Sequence, residues 1–499
     1  MTKTISHYMN GEIWPGNGER SGDVFNPATG EITGKVQLAS QADVDTVVST
    51  ATKALPAWSA TPPAARAQVM YAFRDLLKAH ANELAEMLSA EHGKTLPDAL
   101  GELGRGIEVV EFACGIPHLL KGEYSENVSA GVDSFAVRQP VGVVAGITPF
   151  NFPAMVPLWM YPVALACGNT FVLKPSERDP SVVIRIAELL SEAGLPPGVF
   201  NVVNGDKEAV DALLDHPGVD AISFVGSTAI GSYIYARGTS NGKRVQALCG
   251  AKNHLVVMPD ADMDQVADAL IGSAYGSAGE RCMAVSVAVP VGEQTADKLV
   301  ETLAPRVRDL KVAPYTDPNS ELGPVISKQS FERINNYIDQ GLDMGADLVV
   351  DGRGLALQGY EDGYFIGGCL FDRVTTDMSI YKDEIFGPVL SVVRANDYEQ
   401  AVGMINDHEY GNGAAIFTRD GDTARDFVSR INIGMVGVNV PIPVPLAYHT
   451  FGGWKKSAFG DLNQHGPDAF KFYTRTKTVT ARWPSGIKEG ADFSIPTMN

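Results

Sequence analysis

From about residue 140 onward, short apolar runs alternate with amphipathic stretches, and this alternation constrains the fold more than any other feature of the chain. The runs VGVVAGI (141–147), TFVLK (170–174), VFNVV (199–203) and AISFV (221–225) are mostly apolar without alternation, as strands buried on both faces are. Between them, the helical stretch 182–193 carries Ile184, Ile186, Leu189 and Leu190 on a mixed face, and a second amphipathic segment, 208–216, ends at Pro217-Gly218. A strand, a crossover helix and a second strand give a right-handed βαβ unit, and a series of them gives a parallel sheet. A second series follows: HLVVM (254–258), a helix from about Asp264, VSVAV (285–289), a helix over 295–307, VLSVV (389–393) and AAIFT (414–418). The expected class is therefore α/β, with one unit over 1–121 and 140–249 and a second over 250–450. Residues 41–120 read as mostly helical, including one helix over 66–90, and are expected to pack on the first sheet. Residues 122–139 and 470–485 fit neither unit. They mix polar and β-prone residues, as in FKFYTRTKTVTAR (470–482), and exposed strands of this kind invite pairing with another subunit.

Charge and cysteine content narrow the function classes. The formal net charge of −19, from 40 basic and 59 acidic residues, disfavours nucleic acid and anionic lipid as partners. Five cysteines (114, 167, 249, 282 and 369) without a C-x-x-C pair suggest neither a disulfide framework nor a zinc ribbon. The beginning, MTKTISHYMNGEIW, has no basic segment followed by an apolar one, and the apolar stretch 152–168 is interrupted by Pro153, Pro157 and Pro162. A cytoplasmic protein without a membrane span is expected. The nine histidines show no H-E-x-x-H spacing, so no metal site is expected, and His254 and His449 read as packing or hydrogen-bonding residues.

Four motifs carry chemistry. GSTAIG (226–231) follows a strand and opens a helix, where backbone amides and the helix dipole suit a phosphate, although a tight strand-to-helix turn has the same composition. KPSE (174–177) lies at the C-terminal end of another strand, the edge at which open α/β sheets bind nucleotides. GERCMA (279–284) sets Cys282 in a glycine-punctuated turn beside Arg281, a neighbour expected to favour the thiolate. The other four cysteines read as small buried apolar residues. PFNFP (149–153) holds Asn151 in a rigid turn, where its amide is suited to donate to an oxyanion.

Together and in this order, these motifs resemble the aldehyde dehydrogenase superfamily, from NPATGE (26–31) to KDEIFGPV (382–389). The resemblance implies two Rossmann-like α/β domains plus a small β element for oligomerisation into dimers or tetramers. It implies that Cys282 attacks an aldehyde, that Asn151 and the Cys282 amide hold the oxyanion, and that NAD takes the hydride. Lys174 and Glu177 are then expected at the adenosine ribose, Gly226 and Ser227 under the pyrophosphate, and Glu384 at the nicotinamide ribose, with Phe150 and Phe386 completing the cofactor site. A carboxylate at 177 repels a 2′-phosphate and favours NAD over NADP.

One position departs from the pattern. Where the superfamily carries E-L-G-G-K, with a glutamate that activates water, this chain reads L-C-G-A-K and places Leu248. A thioester that water does not easily reach survives for an external thiol, which favours acyl transfer to coenzyme A. GAKNH (250–254) and GERCMA are similar to the methylmalonate-semialdehyde dehydrogenases, the coenzyme A-acylating branch. That resemblance implies a small semialdehyde substrate, release of carbon dioxide, and Arg105 and Arg281 as the groups that hold the substrate carboxylate. The alternatives from the sequence are a non-decarboxylating aldehyde dehydrogenase with another base, and a non-catalytic scaffold of the same fold.

Overall fold

The computed structural model describes residues 3–483. Two large sheets organise the chain. The first has eight strands, with a parallel centre of Arg244–Leu248, Ala221–Val225, Val143–Ile147, Thr170–Lys174 and Phe200–Val202 in that spatial order. Side chains alternate across it: Val143, Ala145 and Ile147 face one cluster with Val44, Val47 and Leu213, whereas Val144 faces the opposite cluster with Trp159 and Phe171. Burial on both faces is why these strands read as continuous apolar runs. Antiparallel strands close the two edges, Ala458–Phe459 on one side and the hairpin His7–Met9 and Glu12–Trp14 on the other.

The second sheet has seven strands, ordered Asp347–Val350, Cys369–Asp372, Val389–Val392, Val285–Pro290, Asn253–Val257, Gly413–Phe417 and Met435–Val438. All its neighbours are parallel except the first pair.

The helical stretch at 41–120 differs from expectation in two ways. Only Gln41–Ala60, capped by a reciprocal Ser40–Asp43 box, packs directly on the first sheet. Pro63–Ala79, Ala81–His92 and Leu96–Cys114 pack instead on Met155–Ala166 and Ser181–Glu192, forming a second helical layer. The single helix expected over 66–90 is two, broken at His80 (φ −101°, ψ 12°). One non-helical residue barely disturbs the apolar register, so periodicity does not reveal the break. Met155–Ala166 is buried around its whole circumference, a core helix, and among the described residues no helix is long and apolar enough to cross a membrane.

Tyr124–Ser129, Val132–Pro140 and Thr474–Arg482 form a three-stranded antiparallel sheet apart from both large ones. The strand-like reading of 470–472 is corrected: these residues end the helix Gly466–Phe472. Residues 484 and 485 lie outside the described residues.

Candidate active site

Strand ends of the first sheet supply one side of the site. Val143–Ile147 runs into Pro149, Phe150 and Asn151, Thr170–Lys174 ends on Lys174, and Ala221–Val225 runs into Gly226 and Ser227 before the helix Thr228–Ser240. Lys174, Glu177, Gly226 and Ser227 line one cavity of about 540 Å3, together with Pro149 and Val225. Lys174 Nζ donates to Glu177 Oε2 at 3.1 Å. Burial, the largest single influence, raises the Glu177 carboxyl, but the Lys174 ammonium, hydrogen bonds and Arg178 together hold the group below its usual range. Ser227, at the helix N-cap, makes no side-chain bond to the first-turn amides, which leaves those N–H groups for another acceptor.

The turn that carries Cys282 lies between the two sheets. A π-helical turn, Ile271–Tyr275, leads into Gly276–Gly279, where Ser277 and Ala278 (both φ 53°) and Gly279 (φ 70°) take left-handed conformations in succession. A side chain at Gly279 has no room, since its Cβ would lie 2.1 Å from the Gly387 carbonyl oxygen. The Cys282 carbonyl accepts two side-chain amides, Asn253 Nδ2 at 2.9 Å and Asn412 Nδ2 at 3.0 Å. Asn253 in turn accepts from Gly413 N at 3.0 Å through Oδ1, so strands of the second sheet fix the turn. Cys282 is partly exposed, whereas Cys114, Cys167, Cys249 and Cys369 are buried and unpaired. The expectation that Arg281 favours the thiolate is corrected. Burial and then the Glu384 carboxylate push the Cys282 thiol up to about 12, and the Arg281 attraction is the weakest contribution.

Asn151 is 3% exposed, and its loop is anchored by a buried ion pair. Lys94 Nζ donates to Asn151 O at 2.6 Å and to Glu102 Oε2 at 2.7 Å, and it sits 4.4 Å from the Phe152 ring centroid. Glu102 Oε1 accepts from Ala154 N and Met155 N at 2.8 and 3.0 Å, at the start of the core helix.

Arg105, Arg281 and Cys282 come together in one cavity of about 300 Å3 with apolar walls from Phe152, Met155 and Trp159. Both guanidinium groups also meet carboxylates, Arg105 with Glu108 and Arg281 with Asp98. A narrower cavity joins Cys282 to Glu384 and Phe386. Phe386 meets Phe150 edge-to-face at 5.9 Å, and Glu384 Oε1 accepts from Ala251 N at 3.1 Å. Burial pushes the Glu384 carboxyl up to about 7. Leu248, at the end of its strand, is 6% exposed and bonded to Gly226 N through its carbonyl at 3.0 Å.

Lys94, Asp98, Glu102 and Asn412 lie outside the motifs, and Asn253 lies inside GAKNH without a role that the motif indicates. One of these has a sequence signal: Glu102 falls on the stripe of Ala99, Leu103, Gly106 and Val110, a carboxylate where a helix presents its buried face. A model described as the Aldehyde dehydrogenase family matches residues 14–479. The chain belongs to this family.

Among its relatives, malonate-semialdehyde dehydrogenase of Pseudomonas aeruginosa is 60% identical over 496 residues, covering 99% of this chain and 100% of the relative. The mitochondrial acylating methylmalonate-semialdehyde dehydrogenase of Arabidopsis thaliana is 50% identical, covering 95% of this chain and 78% of the relative. A Sinorhizobium meliloti structure assigned to the methylmalonate-semialdehyde dehydrogenases and solved with NAD matches at a TM-score of 0.97 and 62% identity, over 98% of this chain and 100% of the other. That of methylmalonate-semialdehyde dehydrogenase from Oceanimonas doudoroffii matches at 0.96 and 57% identity, over 97% and 99%. The aldehyde dehydrogenase fold expected from the motifs is the fold observed.

Proposed function

We propose that this chain oxidises malonate or methylmalonate semialdehyde, with NAD and coenzyme A, to acetyl- or propionyl-coenzyme A and carbon dioxide. The observation that carries this reading is the cavity uniting Cys282 with Arg105 and Arg281, together with a leucine at position 248, where the superfamily pattern carries its water-activating glutamate. Both arginines suit a short aldehyde bearing a carboxylate. The cofactor residues fit a dinucleotide: the Lys174–Glu177 pair suits ribose hydroxyls, and the open first turn after Ser227 suits a pyrophosphate. Glu384 and Phe386, which line a cavity with Cys282, and Phe150 beside them would hold the nicotinamide end of the dinucleotide. NAD, when bound, supplies the hydride acceptor.

Cys282 Sγ gives up its proton to solvent and adds to the aldehyde carbon, and Asn151 with the Cys282 amide holds the oxygen that gains the charge. Loss of hydride from that carbon leaves a thioester on Cys282 with a carboxylate β to its carbonyl. Breaking the bond to that carboxylate releases carbon dioxide and moves the electron pair to the thioester oxygen, back in the same oxyanion site. Protonation of the enolate and attack by the coenzyme A thiol release the acyl product and return the Cys282 thiol.

In this reading 1–121 with 140–249 bind the nucleotide, and 250–450 carry the nucleophile. The three-stranded sheet of Tyr124–Ser129, Val132–Pro140 and Thr474–Arg482 is mostly exposed, which favours self-association into a dimer or tetramer through it. Five unpaired cysteines accord with a reducing cytoplasmic setting.

A second reading has one observation in its favour: Glu384 lines the narrow cavity with Cys282, and a carboxyl near 7 has the basicity to activate water. NADH formation from malonate semialdehyde, with and without coenzyme A and with the product identified by mass, separates the two. Steady turnover to acetyl-coenzyme A that stops after one burst without coenzyme A supports acylation. Steady release of free acid without it refutes acylation.

A further inference from the structure

Arg281 has a built seat. Its guanidinium lies flat over Gly276: a Cβ there would stand 2.6 Å from Nη1, 2.7 Å from Cζ and 2.8 Å from Nη2. Gly276 itself has φ −52° and ψ 137°, an ordinary conformation for any residue, so the backbone does not require glycine. What requires it is the space taken by the arginine. The second part of the seat is Asp98, in the first turn of Leu96–Cys114. One carboxylate oxygen accepts from Arg281 Nη2, and the other accepts from N of Ser277, the first of the two left-handed residues before Gly279, at 3.1 Å. Arg281 Nη1 reaches Gly272 O at 3.4 Å. The arginine is thus held from below by Gly276 and from one edge by Asp98, while it lines the cavity that contains Cys282 and Arg105.

We propose that Gly276 and Asp98 are specificity-determining positioning residues, which act through Arg281 to select a carboxylate-bearing aldehyde over an uncharged one. This rests on the reading of Arg281 as a carboxylate-holding group. A long side chain on a turn has several rotamers, and a bidentate grip on a carboxylate uses only one of them. The missing Cβ and the Asp98 carboxylate select that one. Because the atoms crowded by a methyl at 276 are the far end of a flexible side chain, Gly276→Ala moves Arg281 and leaves the backbone in place.

The test compares malonate semialdehyde with propanal, which has the same carbon count and a methyl in place of the carboxylate. Its readout is the ratio of the two kcat/KM values in the full-length enzyme with NAD and coenzyme A. Gly276→Ala is expected to lower this ratio by a factor of about 10 to 100, chiefly through a higher KM for the semialdehyde. Arg281→Gln is expected to lower it at least as far, and Gly276→Ala added to Arg281→Gln is expected to change it no further, since the glycine acts through the arginine. Asp98→Asn, a second route to the same seat, is expected to lower the ratio in the same direction. If Arg281→Gln lowers the ratio and neither Gly276→Ala nor Asp98→Asn does, the seat is overturned and the functional reading stands. Equal losses on both substrates in the two seat variants also overturn it, because they indicate general damage. If Arg281→Gln leaves the ratio unchanged, the carboxylate reading of Arg281 fails and the seat falls with it.

Discussion

Replacing Lys94 tests how the Asn151 loop is held. Lys94 and Glu102 have side-chain exposures of 1% and 0%, so Lys94→Met leaves the Glu102 carboxylate buried without its ammonium. Removing one partner of a buried pair costs about 3–5 kcal/mol, most of it from the uncompensated charge left behind. Lys94→Met with Glu102→Gln removes that charge while an amide oxygen still accepts from Ala154 N and Met155 N. The double variant is therefore expected to be at least about 2 kcal/mol more stable than Lys94→Met alone. Activity is expected to behave differently. Both variants lose the 2.6 Å bond from Lys94 to the Asn151 carbonyl, so the loop loosens in both. The rate of the NADH burst should fall about 100-fold in each, the scale of a misplaced oxyanion donor. Urea midpoints at one fixed protein concentration and single-turnover absorbance at 340 nm (roughly, the NADH band) give the two readouts. A double variant no more stable than Lys94→Met refutes the buried-charge account. A normal burst rate in both variants refutes the anchoring of Asn151.

Three further outcomes follow from the site. With the thiol pushed up to about 12, alkylation of Cys282 by iodoacetamide in the enzyme alone should rise about tenfold per pH unit from neutral to mildly alkaline pH, because only the thiolate reacts; a plateau near neutrality would contradict this. Asn253→Ala removes donors to Cys282 O and Ala284 O and an acceptor from Gly413 N, and should cost roughly 3 kcal/mol by urea denaturation, with a smaller burst amplitude. Leu248→Glu restores a carboxyl at the position of the superfamily's base and should shorten the lifetime of the Cys282 thioester, followed by quenching and mass spectrometry; an unchanged lifetime in the folded variant would show that water is limited elsewhere.

The alternation of apolar runs and amphipathic stretches was enough to place four strands of each large sheet, because strand and helix periods are local and burial on both faces leaves little else for such strands to be, but it did not single out Arg244–Leu248, Asp347–Val350, Cys369–Asp372 or Met435–Val438. The Cys282 turn was legible for a related reason: a glycine three positions before the cysteine, at Gly279 (φ 70°), marks a local backbone requirement. The edge strands were not legible. Ala458–Phe459 and His7–Met9 are too short to show a period, and only pairing with a distant strand makes them strands. The break at His80 escaped because one residue outside the helix preserves the register of the apolar face.

What the sequence determined by itself is the α/β class, the family motifs, and the residue types at Cys282, Asn151, Leu248, Arg105 and Arg281. Tertiary structure decided how those residues are held and charged. Asp98 reaches Arg281, Lys94 reaches Asn151, and Asn412 reaches Cys282 only because separate layers pack against one another. The Cys282 thiol shows the reason most directly. Its sequence neighbour Arg281 predicts a lowered thiol, yet burial dominates, because the cost of removing a charge from water depends on everything around the group and not on the residue beside it in the chain.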